Sequence, residues 1–198
     1  MPVSLRRAYR MRTMAAEITE WTADLVRALP DDGKRYEVLD GELFVTPAPA
    51  NPHQRAVAEL HLILGPYTRK NHVGETWLAP TDLEFSPRRL LEPDLFVVEL
   101  VDGKRTMDAA VMPRKLLLTI EILSPSTQRA DRVRKRAIYM DEGVPEYWIV
   151  DLDGRLVERW RQGDERPEIV TESLAWQPLS GAPALNVDLP QFFAGILD

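Results

Sequence analysis

The segment KLLLTIEIL, residues 115–123, restricts the possible fold more than any other part of this sequence. After its lysine, every residue is apolar except Thr119 and Glu121, which is typical of a strand buried on both faces. A buried carboxylate without a partner costs several kcal/mol, so the charge of Glu121 needs compensation. An arginine of the following helix is one possible partner. A ligand is another, because open α/β sheets bind ligands at the C-terminal ends of their strands.

Length and composition predict one globular domain. The chain has 198 residues, of which 44% are hydrophobic and 28% are charged. It contains no cysteine, which excludes disulfides and thiolate zinc sites, so any metal must be held by oxygen or imidazole. We divide the chain into a basic N-terminal arm, residues 1–16, and a single domain, residues 17–198. No secretory signal or membrane span is apparent, so we expect a cytoplasmic protein with no membrane partner.

Local patterns predict an α/β (α+β) fold, with a mixed β-sheet flanked by helices. A hairpin turning at Asp40-Gly41 precedes the main elements. Helical spacing covers residues 19–29, 53–70 and 127–142. Strand patterns cover residues 74–85, 93–100, 115–123, 145–151 and 155–161, with a polar turn at residues 86–92. The tail, residues 178–197, is expected to pack across the core.

The ends of the last predicted helix have recognisable signals. Ser126 or Thr127 could cap its start, and Gly143 lies where a left-handed residue is wanted at its end. For the first helix, Thr19 is the expected cap.

A second acidic residue stands at the start of another apolar strand. Pro93 suits the first position of a strand, and Asp94 follows it directly. A Pro-Asp pair by itself usually marks a turn. Together with Glu121, however, it would give two oxygen ligands on neighbouring strands, which suits Mg²⁺ bound at ~2.0–2.1 Å by one or two carboxylates and water. A shared cation would neutralise both acids.

The helix after this strand carries a lysine whose direction the pattern does not decide. Asp131, Lys135 and Tyr139 recur at intervals of four and form one stripe. The opposite stripe is more apolar, which favours a solvated Lys135, but Tyr139 makes the lysine side partly apolar too. Both orientations remain open from the sequence.

Several motifs together resemble a known family. These are RYEVLDGELFVTPAP, His53, APTDLEF, EPDLFVV, TIEILSPST, the stripe of Asp131, Lys135 and Tyr139, and GVPEYWIVD. Over about residues 17–198 they resemble the Uma-two family of restriction endonuclease-like proteins, in the PD-(D/E)XK nuclease superfamily. The resemblance implies a restriction endonuclease-like core with an N-terminal hairpin and C-terminal strand extensions.

The resemblance also implies roles for particular residues. Asp94 and Glu121 would bind the metal, Mg²⁺ or Mn²⁺. Leu123 stands where the superfamily usually has its lysine, which makes Lys135, on the next helix, the candidate. Glu42 is a weaker catalytic candidate and is preferred to Glu59.

The implied activity is metal-dependent hydrolysis of DNA phosphodiester bonds. The net charge of −6 argues against a global positive field, so DNA would follow a local basic stripe. That stripe consists of Arg129, Arg132, Arg134 and Arg136, with His53 as a weaker contact. A homodimer is expected, because cutting both strands symmetrically needs two sites.

Two other functions remain open. The first is a nuclease-fold protein that binds nucleic acid or a partner without cleaving, which the leucine at position 123 and the negative net charge favour. The second is a metal-free sugar hydrolase with two acids, which requires carboxyl groups about 5 to 9.5 Å apart. No His-Glu-x-x-His motif is present, which argues against a zinc hydrolase of that type.

Overall fold

Strands dominate the computed structural model, which describes residues 20–46, 51–106, 108–109 and 111–198. The strands in these residues are β1 (Arg35–Leu39), β2 (Glu42–Thr46), β3 (Gly74–Leu78), β4 (Leu83–Ser86), β5 (Arg89–Leu91), β6 (Leu95–Glu99), β7 (Leu116–Ile122), β8 (Glu146–Asp151), β9 (Leu156–Arg161), β10 (Glu168–Val170), β11 (Ser173–Trp176) and β12 (Leu185–Asp188). The helices are α1 (Ala23–Arg27), α2 (Asn51–Lys70), α3 (Arg136–Asp141) and α4 (Leu189–Leu197), with a 3₁₀ turn at Met112–Lys115 and a π-helix at Ala130–Lys135.

A mixed six-stranded sheet lies at the centre, in the order β10-β9-β8-β7-β6-β3. Among the strand pairs of the described residues, only β7–β8 is parallel. Leu118, Ile120 and Trp148 point to one face, where α2 and α4 cover them. Phe96 and Tyr147 point to the other, beneath α3 and the second sheet. The predicted class, a mixed sheet flanked by helices, is confirmed.

The predicted hairpin is confirmed and belongs to a second, four-stranded sheet of order β2-β1-β5-β4. Asp40 has a φ of 54° and Gly41 a φ of 87°. Two successive residues with positive φ form the tight turn that matches the twist of a hairpin. β1 thereby pairs with β2 on one side and with β5 on the other.

Residues 74–92 differ from the prediction of one long strand and a polar turn. The predicted strand divides into β3, in the six-stranded sheet, and β4, in the four-stranded sheet. Pro80 lies between them and cannot donate a ladder hydrogen bond. The supposed turn contains β5, because Leu90 and Leu91 are fully buried.

The predicted helix 127–142 has a different form in its first half. Residues Ala130–Lys135 form a π-helix, with the N–H of Arg136 bonded to the carbonyl of Asp131. Neither Ser126 nor Thr127 caps it; their hydroxyls both lie 3.0 Å from the hydroxyl of Ser124. Single π-helical turns are often found at functional sites.

The helix ends are otherwise close to expectation. Gly143 ends α3 with a φ of 77°, as predicted. The helix predicted at residues 19–29 is shorter, since α1 begins after Thr22, whose hydroxyl accepts the N–H of Leu25. Thr19, the expected cap, lies outside the described residues.

The C-terminal tail packs on the core, as predicted. β11 and β12 pair with each other, and Leu189, Phe193 and Ile196 of α4 are buried against the central sheet. Within the described residues, no helix is both long and apolar enough to cross a membrane. The arm of residues 1–16 lies outside the described residues, and the single domain 17–198 stays a prediction.

Candidate active site

Two acidic residues face each other across neighbouring central strands. β6 and β7 run antiparallel with Leu95 opposite Ile120. One position further in the same register, Asp94 lies opposite Glu121. Opposed residues of an antiparallel pair extend to the same face of the sheet, and each of these two residues is only 2% exposed. The sheet therefore brings both carboxyl groups to one side.

A buried lysine joins three carboxyl groups on that side. Lys135 ends the π-helix and is 1% exposed. Its Nζ lies 3.0 Å from Glu121 Oε1, 3.0 Å from Glu37 Oε2 and 3.5 Å from Asp131 Oδ1. Tyr139 donates its hydroxyl to the same Oε1 of Glu121 at 3.2 Å. The stripe whose direction the sequence left open is therefore buried.

The first hairpin strand supplies two further charged residues. Arg35 donates to Asp94 Oδ1 from Nη1 at 3.0 Å and from Nη2 at 3.1 Å, and its Nε lies 2.8 Å from Glu92 Oε1. Glu37 accepts the backbone N–H of Glu92 with Oε1 at 2.9 Å. Its other oxygen faces Lys135. β1 thus connects both acids of the central sheet to the four-stranded sheet.

Asp94 is enclosed by donors on both oxygens. Arg35 occupies Oδ1, while Oδ2 accepts the backbone N–H of Ile122 at 2.8 Å and lies 3.0 Å from His53 Nε2. Burial by itself favours the neutral acid, but His53, Arg35 and the Ile122 N–H together lower the pKa of Asp94 to about 2. Asp94 is therefore ionised at neutral pH.

The pKa of Glu121 is shifted in the opposite direction to that of Asp94. Burial raises its pKa well above the ordinary value, and the charge of Asp94 adds to the rise, while Lys135 opposes it. For Lys135 itself, burial lowers the pKa, but the carboxyl groups of Glu121, Glu37 and Asp131 outweigh burial and raise it. The lysine is consequently cationic at neutral pH.

Comparisons with known proteins assign the chain to a family. A family model described as "Uma2: Putative restriction endonuclease" matches residues 23–190. The chain belongs to the Uma2 family. This confirms the resemblance drawn from the motifs and indicates a restriction-endonuclease-like nuclease.

A solved structure shares the fold of this Uma2 chain. It is that of a "putative nuclease belonging to DUF820" from Anabaena variabilis, with a TM-score of 0.70 and 20% sequence identity. The match covers 89% of this chain and 99% of the other. No curated protein matches the sequence significantly.

The donors of this Uma2 site fit a hard divalent cation in chemical type and charge. Two permanent cations, Arg35 and Lys135, are in contact with more carboxyl groups than they can neutralise: Glu37, Glu92, Asp94, Glu121 and Asp131. A divalent cation would relieve that excess, and Mg²⁺ accepts one or two carboxylates with water completing its shell.

The arrangement also limits how such an ion could bind. In the part of the chain that the structure describes, no three metal-ligating side chains form a ready metal centre. A carboxylate offers about four lone-pair positions, and four N–H···O contacts surround Asp94. An ion held by Asp94 and Glu121 would therefore replace one basic partner of Asp94 and take most of its ligands from water.

The predicted site residues are only partly brought together. Asp94, Glu121 and Lys135 lie in one cluster, and His53 contacts Asp94. Glu42 does not join them: its side chain is 74% exposed and lies 2.9 Å from Arg134. The hairpin carboxylate that contacts Lys135 is instead Glu37, which the sequence reasoning missed.

The predicted DNA-binding arginines mostly contact their own chain. Arg132 pairs with Glu158 at 2.6 Å and Asp151 at 2.9 Å. Arg134 pairs with Glu42, and the guanidinium of Arg136 lies 4.5 Å from the ring centre of Trp160. Arg129 is exposed and has no ion pair within the described residues.

We expect Lys135→Met to destabilise the protein by about 3–5 kcal/mol, because it leaves Glu37, Glu121 and Asp131 buried without their cation. Urea unfolding at pH 7 measures the change. Lys115→Met is the matched control, since Lys115 is 42% exposed and 3.5 Å from Glu99, and should change stability by less than about 1 kcal/mol. Equal effects of the two substitutions would contradict the role given to Lys135.

The low pKa of Asp94 predicts a pH-dependent contribution to stability. A carboxyl whose pKa falls from its ordinary 3.8 to about 2 on folding stabilises the native state above pH 4 by about 2 kcal/mol. Asp94→Asn should therefore be less stable than the wild type at pH 6, and the difference should shrink as pH falls from about 4 towards 2. Asp141→Asn, at a 64% exposed side chain, is the control. A difference that stays constant down to pH 2 would refute the shift.

Proposed function

We propose that this Uma2-family protein is an endonuclease that depends on Mg²⁺ or Mn²⁺ and hydrolyses phosphodiester bonds of DNA. One observation carries the proposal. Asp94 and Glu121 lie opposite each other on adjacent strands, and Lys135 Nζ is 3.0 Å from Glu121 Oε1. Two acids can hold a metal ion for phosphodiester hydrolysis, and an adjacent amine can stabilise the negative charge that develops.

Asp94 and Glu121 would hold the metal. When bound, the ion would polarise a phosphate oxygen and lower the pKa of a coordinated water. Asp94 is poised for this role because its low pKa keeps it ionised. Glu121 would give up any proton it holds, since the cation replaces the proton as the partner of its charge.

Lys135 and Tyr139 would position groups around the reacting phosphate. The raised pKa of Lys135 keeps it cationic, so it suits the stabilisation of developing negative charge or the orientation of water, and is poorly suited to act as a general base. Burial raises the pKa of Tyr139 as well, so its hydroxyl stays protonated and fixes Glu121 by donating to Oε1.

The DNA strand would be held by few groups near the site. Arg129 is the exposed member of the proposed stripe, and His53 would contact DNA only if it left Asp94. Breaks in both strands need two active sites, which a homodimer would supply. We therefore propose a homodimer as the form that cuts duplex DNA.

A second function is favoured by specific contacts. The surroundings of Asp94 are filled by Arg35, His53 and the Ile122 N–H, and Leu123 stands where the superfamily lysine is usual. A protein that keeps the nuclease fold but only binds nucleic acid or a partner could have an Asp94 that is paired in this way within its own chain. It would bind DNA without cleaving it.

We expect the wild type to nick supercoiled plasmid with Mg²⁺ or Mn²⁺ and to be inactive with EDTA. Glu121→Gln and Asp94→Asn should reduce nicking to the EDTA background, because each removes one acidic oxygen ligand. Asp141→Asn, an exposed carboxylate on α3, should nick like the wild type. Circular dichroism at the assay temperature shows which variants are folded.

The outcomes separate the two functions. Metal-dependent nicking that Glu121→Gln abolishes supports the nuclease. Plasmid retardation in a gel without nicking, under both metals, supports the binding protein. Nicking that survives Asp94→Asn and Glu121→Gln in a folded protein would defeat the assignment of the acids.

A further inference from the structure

A small cavity at the edge of the central sheet collects basic side chains from separate elements. Its volume is about 200 Å³. It is lined by His61, Gly65, Arg69, Glu75, Thr76 and Arg105. Three of these are basic or imidazole side chains and only one is acidic, in a chain whose net charge is −6. The cavity belongs to α2, β3 and the loop after β6, and none of its lining residues contributes to the acid cluster.

The side chains of His61 and Arg69 both approach Gly65. If Gly65 carried a Cβ, that atom would lie 3.5 Å from Arg69 Nη2 and 3.8 Å from His61 Nδ1. Both nitrogens therefore border the open space beside this glycine. Gly65 precedes Pro66 within α2, where a Cβ would crowd the proline ring, and its lack of a side chain leaves that space open.

The polar groups of the cavity are incompletely satisfied. His61 Nδ1 is buried and has no hydrogen-bond partner within the described residues. Arg69 donates from Nε to the Gly65 carbonyl at 3.2 Å, which directs its Nη groups into the cavity. Arg105 Nε lies 3.1 Å from Glu75 Oε1, so one acid neutralises one arginine. The remaining charge is that of Arg69, beside an imidazole that can donate from Nδ1.

We propose that this cavity is a binding site for a phosphate group. The volume holds one tetrahedral oxyanion with some water, since a water molecule takes about 30 Å³ in the liquid. Arg69 would donate to two oxygens and His61 Nδ1–H to a third, the charge-assisted geometry that guanidinium groups favour for phosphate. The phosphate could be free or part of a nucleic-acid backbone. The site stands whether or not the protein cleaves DNA.

Histidine NMR tests the site directly, because the chain has only three histidines, His53, His61 and His72. Inorganic phosphate is added to the full chain with chloride at matched ionic strength as the reference. We expect one imidazole signal to shift and saturate, and His61→Gln to identify it by its loss. No saturable shift of the His61 signal would overturn the proposal.

Two variants and a control test whether the lining residues of the cavity bind the phosphate. Arg69→Gln should weaken phosphate binding about tenfold, which corresponds to about 1.4 kcal/mol. Lys70→Gln removes the neighbouring exposed charge and should leave the affinity unchanged. Gly65→Ala places a methyl group beside Arg69 Nη2 and His61 Nδ1, so it should weaken binding, and circular dichroism shows whether the variant is folded. Equal affinity in Arg69→Gln and Lys70→Gln would contradict the site.

An oligonucleotide arm identifies the source of the phosphate. A short oligothymidine without terminal phosphates is titrated in EDTA, where no cleavage can occur. If the oligothymidine shifts the His61 signal at a lower concentration than inorganic phosphate does, the site binds the phosphate backbone of nucleic acid. A shift with inorganic phosphate alone makes it a site for a free phosphate or phosphomonoester. If neither titration shifts the His61 signal, the proposal is overturned.

Discussion

The buried ammonium group of Lys135 is the interaction on which the rest of the structure depends. It contacts carboxyl groups from three parts of the fold, namely Glu37 on β1, Glu121 on β7 and Asp131 on its own helix. Without the cation these acids would be buried together and would repel one another. The same charge therefore fixes the π-helix against both sheets and creates the environment of the candidate site.

The pKa values of Asp94 and Glu121 are shifted in opposite directions because their neighbours differ. Asp94 receives donors from Arg35, His53 and the backbone, which keeps it ionised. Glu121 is equally buried and lies beside the Asp94 charge, and both effects favour its protonated form. Pairs of acids with divergent pKa values are common where chemistry is done. In this protein the divergence also means that a metal bound between the two acids would have to displace a basic partner of Asp94 and a proton of Glu121.

The central part of the site could be predicted from sequence because its signals are local. Glu121 stands out in an apolar strand, and Asp94 follows a proline at the start of another. The burial of Lys135 could not be predicted, because both stripes of its helix are partly apolar and the deciding charge comes from β1. Glu37 was missed for the same reason. Its alternation with Tyr36 and Val38 is what an ordinary hairpin shows, and only its distant partner distinguishes it.

The DNA-binding arginines stay a prediction, and acids from other elements contact two of them. A run of arginines on one helix resembles a phosphate-binding stripe in sequence, but Arg132 meets Glu158 of β9 and Arg134 meets Glu42 of β2. The cavity over Gly65, by contrast, was not identified from the sequence. Its residues come from α2, β3 and a loop, so no local pattern marks it. The strand break at Pro80 and the π-helical turn also depend on contacts between distant parts of the chain. Hydrophobic periodicity does not reveal such contacts.

The most direct test of the central claim is a crystal structure of the protein soaked with Mn²⁺, with anomalous diffraction recorded to locate the ion. A shared metal site predicts an anomalous peak between the carboxyl groups of Asp94 and Glu121, with one basic partner of Asp94 displaced and the Lys135 amine still beside Glu121. A fully soaked crystal with Arg35 and His53 unmoved on Asp94 and no peak between the two acids would contradict it.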